Sequence, residues 1–405
     1  MSVLVNRQSI KQLLKLGVLG GSLAAGAGAA AIAYSHYIEP FDIQLDRITI
    51  QLPNAKNRLP KDGLRILHLS DSHFHGGKRT ERERTKIETV RRLTAKLDYD
   101  LLVHTGDFWH DSEGIDNVLA LLDAVPQPKM GSFGVFGNHD YAHFDMGVAP
   151  MRMWKTYNQR YPLKERMPVR VAKHLLNWLV YFRNTPLDGP PVRSNNAEGL
   201  RHVLEDWGMT VLHNESIHLT EKMLKSDPLP ESAAQSVSGY VNGSANGSMN
   251  GSVNGNGSGT YSAATAVKEI STSLAALSTG AQKPGLDIYL AGVDDWCMGR
   301  PNLARAIRNV PDDAPLILLS HNPDVVGDPN LGRAQFVISG HTHGGQLVVP
   351  LWGPAHTQSE HMMRHEAAGY TRRGDTQIYI SRGLGEGIPL RFMAHPQVTL
   401  ITVKG

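Results

Sequence analysis

Short apolar runs recur along this 405-residue chain, and five of them stop at a turn carrying Asp, Asn or His. Leu64–Leu69 ends at Asp71, Leu101–Thr105 at Asp107, and Phe133–Phe136 leads into Asn138. Farther on, Leu316–Leu319 ends at His321 and Phe336–Ser339 at His341. Runs this short and this apolar predict buried strands. Helical spacings separate the first three. Ile87, Val90, Leu93 and Leu97 give one apolar face to a helix over Arg82–Leu97, and Ile115–Leu122 predicts a second. Strand, helix, strand, helix, strand is the rhythm of an α/β sheet, which gathers its chemistry at strand C-termini. The rhythm resumes with a helix over Glu198–Trp207 and strands over Leu286–Ala291, Gln346–Val349, Gln377–Ser381 and Val398–Val403.

The polar residues at those turns define a chemistry. Carboxylate and amide oxygens mixed with imidazoles suit divalent cations, and this many donors suit two ions rather than one. Asp71 and His73 stand two apart, so one short loop aims both at one ion. Asp107 has two oxygens to share, Asn138 adds a neutral carbonyl oxygen, and His321, His341 and His343 bring in the later half of the chain. His75 and His110 are near enough in sequence to reach a phosphate or an ordered water. His68 and His104 fall inside strands and read as core, while Asp294 and Asp295 read as a strand end that shapes a loop. The single cysteine, Cys297, excludes intrachain disulfides and a thiolate zinc cage. A net charge of +3 is small for this length and argues neither for nucleic acid nor for an acidic partner, so no nucleic-acid partner is expected.

Three segments stand apart from the α/β rhythm. Arg7, Lys11 and Lys15 precede the uncharged stretch Leu16–Tyr34, long enough as a helix to rise about 28 Å against a hydrocarbon core of roughly 30 Å. We expect residues 1–36 to be a signal sequence or membrane anchor, with Ala31-Ile32-Ala33 as a small-residue cleavage site. The basic residues favour a cytoplasmic N-terminus, which puts the domain over residues 37–405 on the outer side of the cytoplasmic membrane. From Met151 to Arg183, eight Lys or Arg residues accompany one acid, Glu165, interleaved with Trp154, Tyr157, Tyr161, Trp178, Tyr181 and Phe182. Pro168–Phe182 then reads as a basic amphipathic helix that either lies on an anionic membrane interface or packs its aromatic side on the domain. Finally, no charge stands between Glu231 and Lys268, and Asn-Gly-Ser recurs at Asn242, Asn246 and Asn250. So polar a stretch cannot offset its ordering entropy, and residues 226–284 read as a disordered loop.

Taken in order, Ser70-Asp71-Ser72-His73, Gly106-Asp107, Gly137-Asn138-His139-Asp140, Ser320-His321-Asn322-Pro323-Asp324 and Gly340-His341-Thr342-His343-Gly344-Gly345-Gln346 resemble the motifs of the calcineurin-like metallophosphoesterase family. Ser72 stands where that family usually carries leucine. The tail Ser381-Arg382-Gly383-Leu384-Gly385 and the N-terminal anchor are similar to the membrane-anchored bacterial branch, some members of which hydrolyse UDP-2,3-diacylglucosamine in lipid A assembly. The likeness covers Leu64–Gly147 and Gly199–Val403, leaving out insertions at 150–192, where the family places its substrate-specific cap, and at 226–284.

That resemblance implies a four-layer αββα sandwich. It implies that Asp71, His73, Asp107 and His343 hold one divalent ion, and Asp107, Asn138, His321 and His341 a second. Manganese is expected first, with iron, zinc and cobalt also compatible with such donors. His139 becomes the histidine that stabilises charge or protonates the leaving oxygen, with Asp140 orienting it. The implied activity is hydrolysis of a phosphoester or pyrophosphate bond in a lipid-linked or nucleotide-linked substrate. The alternatives are an exported phosphodiesterase for soluble substrates and a non-catalytic scaffold; the complete donor set argues against the scaffold.

Overall fold

The computed structural model describes residues 28–145, 148–164, 167–184, 191–224 and 285–405. Most of the expected anchor and the whole 226–284 insertion lie outside the described residues. The described part of the anchor is a helix over residues 28–37 (α1). Among the described residues no helix is long and apolar enough to cross a membrane.

Two six-stranded sheets carry the fold. The first is ordered β1 (Gln44–Gln51), β16 (Gln397–Lys404), β2 (Leu64–Leu69), β3 (Leu101–His104), β4 (Gly131–Gly134) and β7 (Met209–Val211). Its neighbours are parallel except for β16 against β2. The second is ordered β14 (Gly369–Arg373), β15 (Thr376–Ile380), β11 (Phe336–Ser339), β10 (Leu316–Leu319), β9 (Asp287–Gly292) and β8 (Glu215–Thr220). Only its two edge pairs are antiparallel.

Period-two alternation decides how the layers stack. Ile66, Leu101, Val103 and Phe133 of the first sheet share one buried cluster with Leu290, Ile317, Leu319 and Ile338 of the second. The opposite face of the first sheet, with Leu67, Leu69 and Leu102, packs under three helices: α2 (Thr80–Thr94) through Ile87 and Val90, α3 (Ile115–Leu122) through Val118 and Leu121, and α7 (Ala197–Trp207) through Leu200 and Leu204. On the far face of the second sheet, Leu316, Leu318, Val337 and Ile378 meet Leu303 and Ala306 of α8 (Leu303–Ile307). The result is helix, sheet, sheet, helix, the four-layer α/β arrangement expected. Burying a Leu or Ile side chain contributes about 1.5–3 kcal/mol, and β2 has Leu64, Ile66, Leu67 and Leu69 fully buried across both interfaces.

Local signals set the element ends. Asn196 caps α7 by accepting from the Gly199 N–H at 2.9 Å, and Gly208, at φ 106°, closes the helix with bonds back to Leu204 and Glu205. β4 begins earlier than Phe133, because Gly131–Gly134 is the stretch that pairs with β3. The strand β1 was not expected; it is an edge strand with mostly half-buried side chains, so its apolar alternation is weak. The basic insertion folds as two helices, α5 (Ala149–Arg160) and α6 (Pro168–Asn184), of which only the second was expected.

Candidate metal centre

β2, β3 and β4 run parallel and end at one edge of the first sheet, so the loops after them carry Asp71, Asp107 and Asn138 side by side. β10 and β11 end facing the same place and deliver His321 and His341. The loops bend hard. Asp71, His73, Asp107, His341 and His343 have φ of 51°, 47°, 54°, 72° and 52°. Non-glycine residues adopt this left-handed region at a cost and keep it only where the surroundings over-determine it. At Gly106, φ 88°, an added Cβ would lie 2.5 Å from the Gly137 nitrogen and 2.9 Å from His321 Nδ1. Glycine before Asp107 is what lets three loops close on one another.

Asp107 is central. Its Oδ2 lies 3.3 Å from His73 Nε2 and 3.2 Å from His321 Nε2. On one side, His73 Nε2 is 2.9 Å from His343 Nε2, with Asp71 Oδ1 3.9 Å and 3.6 Å from the two. On the other, His341 Nδ1 is 3.2 Å from His321 Nε2 and 3.1 Å from Asn138 Oδ1. All seven residues are buried. The donors Asp71, His73 and His343 converge as one group, and Asp107, His321 and His341 as another. Lone pairs this close repel one another unless positive charge sits among them, and the mixed oxygen and nitrogen donors fit divalent cations.

Backbone carbonyls aim the rings. His321 Nδ1 donates to the Thr105 carbonyl at 2.7 Å, and His341 Nε2 to the Gln358 carbonyl at 3.1 Å. Each bond turns the other ring nitrogen into the centre, where it can serve as a ligand once it carries no proton. Asp71 is braced too, accepting from Ser70 Oγ at 2.5 Å and the His341 N–H at 2.9 Å. Behind Ser70 the chain continues through Thr105 Oγ1 at 2.7 Å to His68 Nε2 at 2.8 Å. His68 is core, as expected, and also ends a buried hydrogen-bond chain to the centre.

The electrostatics ask for a cation at Asp107. Burial pushes Asp71 up to about 6, with the Asp107 charge adding to the rise. Burial lowers His341 to about 4 and holds His73 and His343 well below the usual imidazole range. His321 behaves oppositely: burial would lower it, but the Asp107 carboxylate beside it prevails and raises it to about 10. Burial would raise Asp107, yet His321, His139 and His73 together hold it well below the carboxylate range.

His139 stands against this cluster. Its N–H donates to Asp107 Oδ1 at 2.8 Å, and its ring centroid is 4.5 Å from those of both His73 and His110. Its buried Nδ1 has no partner. Burial lowers it to about 4. Asp140 does not orient this ring, which corrects the expectation. The Asp140 carboxylate instead accepts from the backbone N–H groups of Gly137, Asp107 and Phe108, each at 2.8 Å. The reason is local: Asn138–Tyr141 is a single helical turn (α4), and an acid at its third position folds back on the unsatisfied N-terminal donors. Imidazoles support His139 instead, with His110 against it, His75 stacked on His110 at 4.2 Å and His143 edge-on at 4.7 Å.

Two groups near the centre escaped sequence reasoning. Arg391 is fully buried, with Nη2 3.3 Å from His343 Nδ1 and donating to the carbonyls of Arg382 and Gly385 at 2.8 and 2.5 Å. Glu386 pairs with it and with buried Lys86. Nothing in Leu390-Arg391-Phe392 separates this arginine from a surface one. Asp295, read as a loop former, is buried with Oδ1 unpartnered, and burial raises it to about 6.

The fold and this cluster define a metal-dependent phosphoesterase type of centre. Residues 64–252 match the calcineurin-like phosphoesterase family. The uncharacterized metallophosphoesterase YkuE of Bacillus subtilis is 32% identical over 408 residues, spanning 99% of both chains. A second from that organism, YkoQ, is 23% identical over 88% of this chain and 89% of its own. The UDP-2,3-diacylglucosamine pyrophosphatase LpxG of Chlamydia muridarum is 22% identical over 94% of this chain and 95% of its own. This chain belongs to the calcineurin-like phosphoesterase family, and is a hydrolase of phosphoric ester bonds.

Proposed function

We propose that this chain is a dinuclear metal hydrolase acting on a phosphoester or pyrophosphate bond of a lipid-linked substrate, UDP-2,3-diacylglucosamine being the first to test. One observation carries the dinuclear reading: Asp107 Oδ2 lies between two donor groups, within 3.3 Å of a nitrogen from each. Asp71, His73, Asp107 and His343 would hold one ion; Asp107, Asn138, His321 and His341 the other. We take manganese as the first metal to try. When bound, such a pair supplies an activated water and a clamp on the attacking and leaving oxygens of an in-line displacement.

The chain's own residues do the rest. Thr105 and Gln358 fix which ring nitrogen His321 and His341 present. Ser70 and the His341 N–H hold Asp71 in place. His139, with Nδ1 unpartnered beside the cluster, stabilises the anionic phosphoryl group and passes a proton to the leaving oxygen. An anionic substrate beside the ring opposes the effect of burial and raises its proton affinity. The lipid-linked substrate is supported by the LpxG similarity and by Arg7, Lys11 and Lys15 ahead of the uncharged Leu16–Tyr34. Those features also support an anchor in the cytoplasmic membrane with the domain outside.

The test is to load the full chain with Mn²⁺, incubate it with UDP-linked and membrane-extracted lipids, and identify released phosphate products by mass spectrometry. Cleavage of a bis-aryl phosphodiester with no lipid product would favour a soluble-substrate phosphodiesterase. No bound metal and no hydrolysis would leave a scaffold.

A further inference from the structure

We propose that α6, with the turn between β12 (Val348–Val349) and β13 (Gly353–Pro354), forms a docking face for an anionic lipid bilayer. The inference stands on the protein surface and does not rest on the metal chemistry.

The hairpin of α5 and α6 is closed by aromatic rings. Trp154 meets Trp178 at 5.2 Å, and Tyr157 meets Tyr181 at 5.2 Å and His174 at 4.9 Å. That seam leaves another side of α6 facing water. Val169 is 78% exposed and Leu176 62%, with Leu175, Leu179 and Val180 exposed beside them. Of twenty-one large apolar side chains exposed among the described residues, nine fall between Met151 and Val180. So dense a concentration marks a surface that something covers.

Charge chooses the occupant. Among the described residues of this stretch Arg152, Lys155, Arg160, Lys164 and Lys173 are exposed, and none of its described residues is acidic. A second copy of this face would bring like charge against like. An anionic bilayer instead offers negative headgroups for the lysines and arginines and an apolar layer for the leucines and valines beneath them.

Continuity extends the face. The Phe182 ring of α6 lies 6.2 Å from His356, just past β13. The β12–β13 turn exposes Leu351 completely, with Trp352 exposed next to it. From there the Val348 N–H donates to the Phe392 carbonyl at 2.8 Å, and the Phe392 ring meets Tyr34 of α1 at 6.4 Å. An unbroken path of contacts thus runs from α6 to the helix that leads back to the N-terminal segment. The same stretch supplies the Gln358 carbonyl that aims His341, so the docking face borders the metal centre.

The experiment uses the full chain in a Cys297→Ser background, with Leu176→Cys carrying an environment-sensitive dye and Lys96→Cys as the control position. Vesicles of phosphatidylcholine with about one-third phosphatidylglycerol supply the anionic surface, and pure phosphatidylcholine the neutral one. The expected result is a blue shift and loss of aqueous quenching at position 176 with anionic vesicles only, and no change at position 96. Lys155→Gln with Lys173→Gln should raise the lipid needed by roughly tenfold or more. A label at Val180→Cys repeats the test should Leu176→Cys misfold. An unchanged signal with anionic vesicles overturns the proposal. So does an equal shift with neutral vesicles, or a shift that follows protein concentration without lipid. Hydrolysis of a bis-aryl phosphodiester in the same samples reports the metal centre separately, so the two readings can fail independently.

Discussion

The Asp140 carboxylate accepts a hydrogen bond from the backbone N–H of Asp107 at 2.8 Å, tying the turn of α4 to the loop that carries the central acid. The same carboxylate accepts from Gly137 and Phe108, so one side chain fixes the relative placement of Asp107 and Asn138. Asp140→Ala should take the acceptor from the N–H groups of Gly137, Asp107 and Phe108, and from that of Trp109 at 3.4 Å, at about 1–3 kcal/mol for each buried donor left unsatisfied. We expect a lower melting temperature together with weakened metal binding, and a milder effect for Asp140→Asn. Wild-type metal affinity in Asp140→Ala, measured by calorimetric titration, would show that the loops hold themselves.

His139 and Asp107 should separate cleanly. His139→Ala removes a ring that donates no lone pair to either proposed ion set, so metal stoichiometry should stay at two per chain while turnover falls by about 10²–10⁴-fold. Asp107→Ala removes the oxygen between the two donor groups and should lose metal itself. Elemental analysis beside phosphodiester turnover reads both. Equal metal loss in the two variants would refute the division of roles.

His321 sets a pH dependence. In the metal-free chain its folded value, about 10, lies above the ordinary imidazole value. Its contribution to stability is therefore fully present below the unfolded value of about 6.5 and is lost as the pH rises through about 10. A metal ion must displace that proton. Binding at pH 8 should release at least about one proton, and affinity should climb with pH across this window. Titrations in buffers of different ionisation enthalpy measure the release; zero protons would exclude the Asp107–His321 pairing described here.

Glu386 holds two buried cations, Lys86 and Arg391. Glu386→Gln removes their shared counter-charge, and breaking a buried pair from one side costs about 3–5 kcal/mol. Chemical denaturation should show a loss of that order. A loss below about 1 kcal/mol would place the pair in effective contact with water.

The sequence exposed the site better than its supports. Asp71, Asp107, Asn138, His321 and His341 are legible because each follows an apolar run, and a sheet brings the ends of parallel runs together whatever the intervening length. The runs alone predict an α/β sheet; the αββα layering came with the family resemblance, and the structure bears it out by turning Ile66 and Leu67 to opposite faces. The orienting role of Asp140 came with the family resemblance, whereas the one-turn helix at Asn138 directs its carboxylate to backbone donors. Arg391 was invisible because the hydrogen bonds that bury it go largely to carbonyls such as those of Arg382 and Gly385, and carbonyls leave no trace in residue identity. β1 was missed because it is an edge strand whose alternation between apolar and polar residues is diluted.

The left-handed bends at Asp71, His73, Asp107, His341 and His343 have a consequence for how such a protein can change over time. Main-chain shape, more than any single ligand, defines the cradle, so a lineage can exchange one donor for another and retune its ion preference without redrawing the loops. Lengthening any of those turns by one residue would rotate its donor out of reach. Change in this scaffold can thereby fall on the donors and on what surrounds them while the main chain of the catalytic edge keeps its path.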